Sequence, residues 1–270
     1  MMGAEFPRIH PTAIVSAEAE LADDVQVGPF CVIEGKVRIG PGCVLRPQVY
    51  LRGPLTMGKN NTIYTGAVLG ERPQHTKYND EPTSVEIGDD NIFREYVTVH
   101  KGTSHSWVTR IGSGNFFMAN SHIAHDCQVG NRCILANGAL LAGHCVLEDQ
   151  CYISGNSAVH QFVRIGRLAL LSGTSCTTKD MPPFVMQQGI NCIVGINVVG
   201  MRRAGISNAE IQAVHQAFHI LFRSGLMTSV ALEQIDRSLS GSPAVAELAA
   251  FIRRPGRGIS TMRAKGREAA

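Results

Sequence analysis

Large aliphatic residues recur along this chain at intervals of six. Counting from Val15, every sixth residue is apolar over 15–69, 87–99 and 111–171, and His75, Glu81 and His105 are the exceptions. Twenty-four of 27 such positions are apolar, where the 44% apolar composition alone gives about twelve. Neither the 3.6-residue period of a helix nor the two-residue alternation of a strand produces that beat, with Gly often following the large residue. A parallel β-helix of hexapeptide repeats does. Short strands wind into a prism, one large aliphatic per hexad points inward, and coils stack at strand spacing. The lapses keep the phase on either side. The segments "GERPQHTKYNDEPTS" and "HKGTSHSWVTR" are therefore expected as external loops near 70–86 and 100–110, and loops on rigid scaffolds carry binding groups.

After Leu171 the beat fades through "MPPFVMQQG". The next segment, "SNAEIQAVHQAFHILFRSG", opens with Ser207 and Glu210 at capping-box spacing and keeps helical spacing up to Gly225. Further helical runs cover 229–239 and 243–253. The predicted fold is mainly β, a β-helix over 1–190 followed by a C-terminal α-helical domain over 191–270 that covers one open end. His215 and His219 lie four apart on the first helix and are expected to serve amphipathic packing, since no third metal ligand accompanies them.

Composition supports this reading. Gly is abundant at 28 and aromatic residues make up only 6%, so the core must be small and aliphatic. Cys31, Cys43, Cys127, Cys133, Cys145 and Cys151 each stand four residues after an inward aliphatic. No C-x-x-C pair exists, so they are expected as small core residues in a reducing compartment. Net charge is +3, with the excess C-terminal: residues 201–270 hold ten Lys and Arg against five Asp and Glu. That balance suits an acidic partner or a phosphate-bearing ligand, or else is a solvated helical surface. Nothing resembles a membrane span or a signal peptide, so a cytoplasmic location is expected, without membrane insertion or a nucleic-acid partner.

With 18 residues per coil, positions differing by 18 stack at about 4.8 Å. His122, His125, His144, His160 and Gln161 then fall within five consecutive places of the prism outline, so the four histidines converge on one ridge. Gly143 sits one coil above His125, and His144 one coil above Asp126. None lies on the inward phase, so they should project outward or into a cleft. Three chemistries use such a cluster: a metal site, a covalent nucleophile, or general-base catalysis. The inward cysteines count against a nucleophile. The pair "HD" at 125–126 supplies an imidazole base and a carboxylate to orient it.

The segments "SHIAHDCQVGNRCILANGALLAGH", "SAVHQFVRIG", "GERPQHTKY" and "GINVVGMRRAG" closely resemble the acyl-carrier-protein:UDP-N-acetylglucosamine O-acyltransferases of lipid A synthesis, over nearly the whole chain. The resemblance implies a left-handed β-helix, a homotrimer with sites between subunits, and transfer of a 3-hydroxyacyl chain from acyl carrier protein to the sugar 3-hydroxyl. It implies no cofactor beyond the phosphopantetheine on the carrier protein, and no metal. By the same resemblance His125 is the general base, Asp126 orients it, and the Gly143 N–H stabilises the oxyanion. His122, His144, His160, Gln161, Lys77 and the loop residue His75 hold the sugar nucleotide, Asn197 and Arg203 reach its nucleotide end, and Gly173 leaves room for a long acyl chain. Three positions depart from the family pattern. His75 stands where Asp is usual, Val199 where Glu is frequent, and Ala204 where a second Arg is frequent. These changes leave open a 3-amino or other nucleotide-sugar acceptor, and a non-catalytic scaffold remains the third reading.

Overall fold

The structure, a computed structural model, describes residues 8–254 and 256–262. Strands of two to five residues, all parallel but the last, stack into sheets of nine, eight and ten strands, the faces of a left-handed β-helix. The ten-stranded sheet ends in an antiparallel hairpin. The hexad dictates this prism, since from Val27 onward each inward aliphatic is fully or nearly fully buried, as for Ile33, Leu51, Ile123, Leu141 and Ile153, while Val15 and Leu21 in the first coil are half-buried. Ile14 stands opposite Val32 and His122 opposite Leu140, so an ordinary coil takes 18 residues. Two coils are longer. Val68 pairs with Thr98, thirty residues on, and Thr98 pairs with His122, twenty-four on. The extra hexads are extruded as loops over 72–83 and 101–107, both leaving the corner between the nine- and eight-stranded sheets.

The third residue after many inward aliphatics turns the corner in left-handed backbone, with φ of 60° at Asn120, 62° at Asp126, 63° at His144 and 65° at Phe162. The six expected core cysteines are buried, and all eight are free thiols. Burial pushes the Cys127 and Cys151 thiols well up, so neither is a nucleophile at neutral pH. One interior column is polar. The backbone and side-chain N–H groups of Asn91 both donate to Asn61 Oδ1 at 2.9 Å, and those of Asn115 both donate to Asn91 Oδ1 at 2.9 Å. The Cys133 N–H closes the column on Asn115 Oδ1 at 2.7 Å.

The expected division at residue 190 falls in the turn of the hairpin Val185–Gln188 and Cys192–Ile196. Helices α1 (Val198–Arg203), α2 (Asn208–Phe222), α3 (Thr228–Ser238) and α4 (Pro243–Arg253) follow. The short α1 was not expected, because six residues are too few to show a period. Ser207 Oγ accepts from the Glu210 N–H as its capping spacing predicts. Glu210 does not complete the box; its carboxylate accepts from Ser242 Oγ and the Ala244 N–H, and so caps α4. Met201, Ile211, Val214 and Phe218 join the apolar core of the β-helix. His215 and His219 are exposed on α2. Among the described residues no helix is long and apolar enough to cross a membrane.

Candidate active site

The corner that extrudes both loops also carries Asp126, His144 and Phe162 in successive coils. Left-handed backbone at Asp126 places its carboxylate beside the preceding side chain, and His125 Nδ1 lies 2.7 Å from Asp126 Oδ2. Both are buried, His125 at 8% exposure and Asp126 at 4%, because the 101–107 loop folds over them. That loop supplies the remaining donors. The Thr103 N–H (2.9 Å) and hydroxyl (2.7 Å), with the Ser106 N–H and hydroxyl, all donate to Asp126. Burial alone would raise this carboxyl, but the hydrogen bonds from His125, Ser106 and Thr103 outweigh it and hold Asp126 well below the usual carboxylate range. An ionised carboxylate only accepts, so Nδ1 of His125 is the donor in this pair, and Nε2 of the neutral imidazole is the nitrogen left to take up a proton.

Gly143 lies one coil above His125. A Cβ there would fall 2.5 Å from Cε1 and 2.7 Å from Nε2 of His125, so only glycine leaves room for the imidazole. The Gly143 carbonyl accepts from the Phe162 N–H, while its own N–H donates to no partner among the described residues. A free N–H donor thus stands next to the base.

Around this dyad five further imidazoles gather. His122 Nδ1 shares a 2.7 Å hydrogen bond with Thr98 Oγ1, and its ring meets His100 at 4.8 Å. Desolvation pushes His122 down to about 4, with His100 and His125 adding to the effect. His144 stands edge-on to His125 at 5.0 Å and flat on Phe162 at 4.3 Å. Burial lowers it as well; Asp126 opposes this, while His125, His105 and His75 reinforce it. Both rings are therefore neutral at neutral pH. From the loops, His75 packs on His125 at 5.2 Å and His105 on His144 at 4.6 Å. Ligand atoms of His125, Asp126 and His144 lie within 4.8 Å of one another. An ion bridging His125 and Asp126 would need those atoms about 3.4 Å apart. At 2.7 Å they are hydrogen-bonded instead.

The predicted residues divide into two groups. His75, His122, His125, Asp126, Gly143 and His144 converge as the coil arithmetic and the loops suggest. His160 and Gln161 are exposed on the next coil, with His160 Nδ1 3.2 Å from the Gln161 carbonyl. Lys77 is exposed on the 72–83 loop. Asn197 is buried and its amide is engaged: Nδ2 donates to the Leu168 carbonyl and Oδ1 caps α1 at the Gly200 N–H, both at 2.9 Å. Arg203 ends α1, exposed and without an ion pair among the described residues. A Cβ on Gly173 would meet only the Gly155 carbonyl, at 3.6 Å, so the position is open. Sequence reasoning missed Thr98, His100, Thr103, His105, Ser106 and Phe162. For His100 the available signal was the longer coil: counting 24 instead of 18 sets it level with Ala124, inside the cluster.

Residues 18–53 and 109–143 match the family model described as bacterial transferase hexapeptide (six repeats), and 180–260 match that of UDP-N-acetylglucosamine O-acyltransferase, domain 2. The chain is 46% identical to an acyl-[acyl-carrier-protein]–UDP-N-acetylglucosamine O-acyltransferase of Anaeromyxobacter sp. over 93% of its length and 99% of the relative's. It is 45% identical to that of Myxococcus xanthus over 94% and 99%. The crystal structure of UDP-N-acetylglucosamine O-acyltransferase from Moraxella catarrhalis aligns with a TM-score of 0.90 and 39% identity, covering 94% of this chain and all of that one. With hexad, histidine corner and helical cap matched end to end, the chain belongs to the family of acyl-[acyl-carrier-protein]–UDP-N-acetylglucosamine O-acyltransferases.

Proposed function

We propose that this protein transfers a 3-hydroxyacyl chain from acyl carrier protein to the 3-hydroxyl of UDP-N-acetylglucosamine, the first step of lipid A biosynthesis. The observation that carries the mechanism is the His125–Asp126 pair beneath Gly143. His125 Nε2 takes the sugar hydroxyl proton as the oxygen attacks the thioester carbonyl. A C–O bond forms, and the carbonyl oxygen gains the negative charge that the Gly143 N–H stabilises. The imidazolium is held by the ionised Asp126. Collapse breaks the C–S bond, and His125 returns its proton to the departing thiolate. The acyl-bearing thiol belongs to the carrier protein's phosphopantetheine, so no resident cofactor is needed.

Neutral His122 and His144 line the acceptor side as hydrogen-bond partners for sugar hydroxyls, with His75, Lys77, His160 and Gln161 completing the sugar-nucleotide site. Arg203 offers a fixed fork of donors to the phosphates, and the C-terminal positive charge suits an acidic carrier protein. Asn197 reaches the nucleotide only if its capping amide is released. The active assembly is a homotrimer in the cytoplasm. Leu140 stands directly beside His122 in register and is 46% exposed, an apolar neighbour of the site that a second copy of the chain would cover.

The test is release of free carrier thiol from 3-hydroxyacyl carrier protein, with UDP-N-acetylglucosamine and its 3-amino analogue compared side by side. Turnover with the hydroxyl sugar is expected. Turnover with the amino sugar alone would assign His75, packed on the base, to an altered acceptor site, and silence with both would overturn the reading.

A further inference from the structure

The 101–107 loop does more than hold a carboxylate. Thr103 and Ser106 are both tied to Asp126, and the residue between their anchors that projects over the site is His105. Its N–H points to Thr103 Oγ1 at 3.3 Å, and its ring lies 4.6 Å from His144 at 78° and 6.3 Å from Phe162 at 74°. His144 needs this support. It occupies left-handed backbone that a histidine adopts at a cost, and its Nδ1, 3.7 Å from Asp126, is buried without a hydrogen bond. Among the described residues, therefore, no hydrogen bond fixes the His144 ring. Three ring contacts do: flat on Phe162, edge-on to His125, and edge-on to His105.

We infer that His105 is a positioning residue for the reaction, an imidazole carried on the Asp126-bound loop that locks the His144 ring against Phe162 for contact with the acceptor. Asp126 then orients two imidazoles at once. It holds His125 directly through Nδ1, and it holds His144 indirectly through the loop that places His105. The groups facing His144 are Asp126, His125, His105 and His75. The inference rests on the proposed use of His144 in holding the sugar nucleotide.

The experiment measures kcat and KM for UDP-N-acetylglucosamine across pH 5–9, with direct binding of that nucleotide by calorimetry, for the intact protein and for His105→Ala, His105→Phe and His144→Ala. Expected is a rise in KM and Kd of about tenfold in His105→Ala, the scale one edge-to-face ring contact carries. His105→Phe, which keeps an aromatic ring in the same place, should recover most of that loss. Unchanged binding in His105→Ala, or a phenylalanine no better than alanine, would overturn the inference. If instead His144→Ala binds the nucleotide as well as the intact protein, the proposed role of His144 fails first, and that result is distinguishable from failure at His105.

Discussion

The corner between the nine- and ten-stranded sheets and the corner between the nine- and eight-stranded sheets are made from the same backbone. In successive coils the first carries Asn120, Gly138 and Asn156 at its turning position, with φ between 53° and 68°. The second carries Asp126, His144 and Phe162, with φ between 62° and 65°. Glycine enters left-handed backbone freely, and asparagine, aspartate and histidine do so more readily than phenylalanine. Other coils turn the first corner with Phe30, Gln48, Tyr96 and Thr174 in the same left-handed backbone, so conformation alone does not separate the two. What separates them is company: at the second corner two loops converge and a buried carboxylate collects five hydrogen bonds, and that marks the edge of a repetitive scaffold given over to chemistry.

Removing the base tests the comparison most severely. His125→Ala should lower kcat by at least about a hundredfold while the thermal melting curve stays in place; near-native turnover would strip the corner of its catalytic role. Glycines come next. Gly143→Ala drives a methyl into the His125 ring and should cost about thirtyfold in kcat, as a displaced base and a disturbed oxyanion donor would. Gly138→Ala, at the other corner with φ of 68°, should instead lower stability by about 1 kcal/mol and leave kcat/KM alone. If the two alanine variants behave alike, the corners do not differ in kind.

Thr103→Val sharpens the contrast further. It removes a hydroxyl donor to Asp126 without changing shape much, and should lower kcat about tenfold, near the value of one hydrogen bond to a charged group. The smallest expected effect is electrostatic. His122 is held near 4 in the folded chain, below its unfolded value of about 6.5, so the unfolded state binds more protons between those limits. Stability therefore falls as pH drops through that window, by about 1 kcal/mol at pH 6 relative to pH 8. His122→Gln should flatten this slope in denaturant titrations, and an unchanged slope would show that the imidazole is not desolvated.

The prism was legible because every coil repeats one instruction, and a six-residue beat survives even where loops interrupt it. The ridge of histidines was legible for a narrower reason. From His122 onward the coils hold 18 residues, so simple counting put Gly143 over His125 and His144 over Asp126. Upstream, coils of 24 and 30 residues shift the count, and His100 dropped out of view. His105, Thr103 and Ser106 were hidden differently. They lie on a loop whose path is set by the Asp126 carboxylate, a long-range partner that carries no periodic signal. Glu210 shows the same limit at the helices, where local spacing found the right cap and could not know that its carboxylate serves α4.

A core that repeats every six residues has an ambiguity of its own. Slide one stretch of chain past another by a hexad and aliphatic still meets aliphatic, so hydrophobic matching cannot say which hexads belong in the wall and which should be extruded. The asparagine column removes that freedom where it matters. Asn61 to Asn91 spans the first extrusion and Asn91 to Asn115 the second, and each carbonyl is satisfied only by the next asparagine in one alignment. A slipped coil would leave an amide facing hydrocarbon, a penalty of a few kcal/mol that the correctly wound chain never meets. These three buried side chains act as registration marks, so that the loops bearing His75 and His105 emerge at the corner where His125 waits for them.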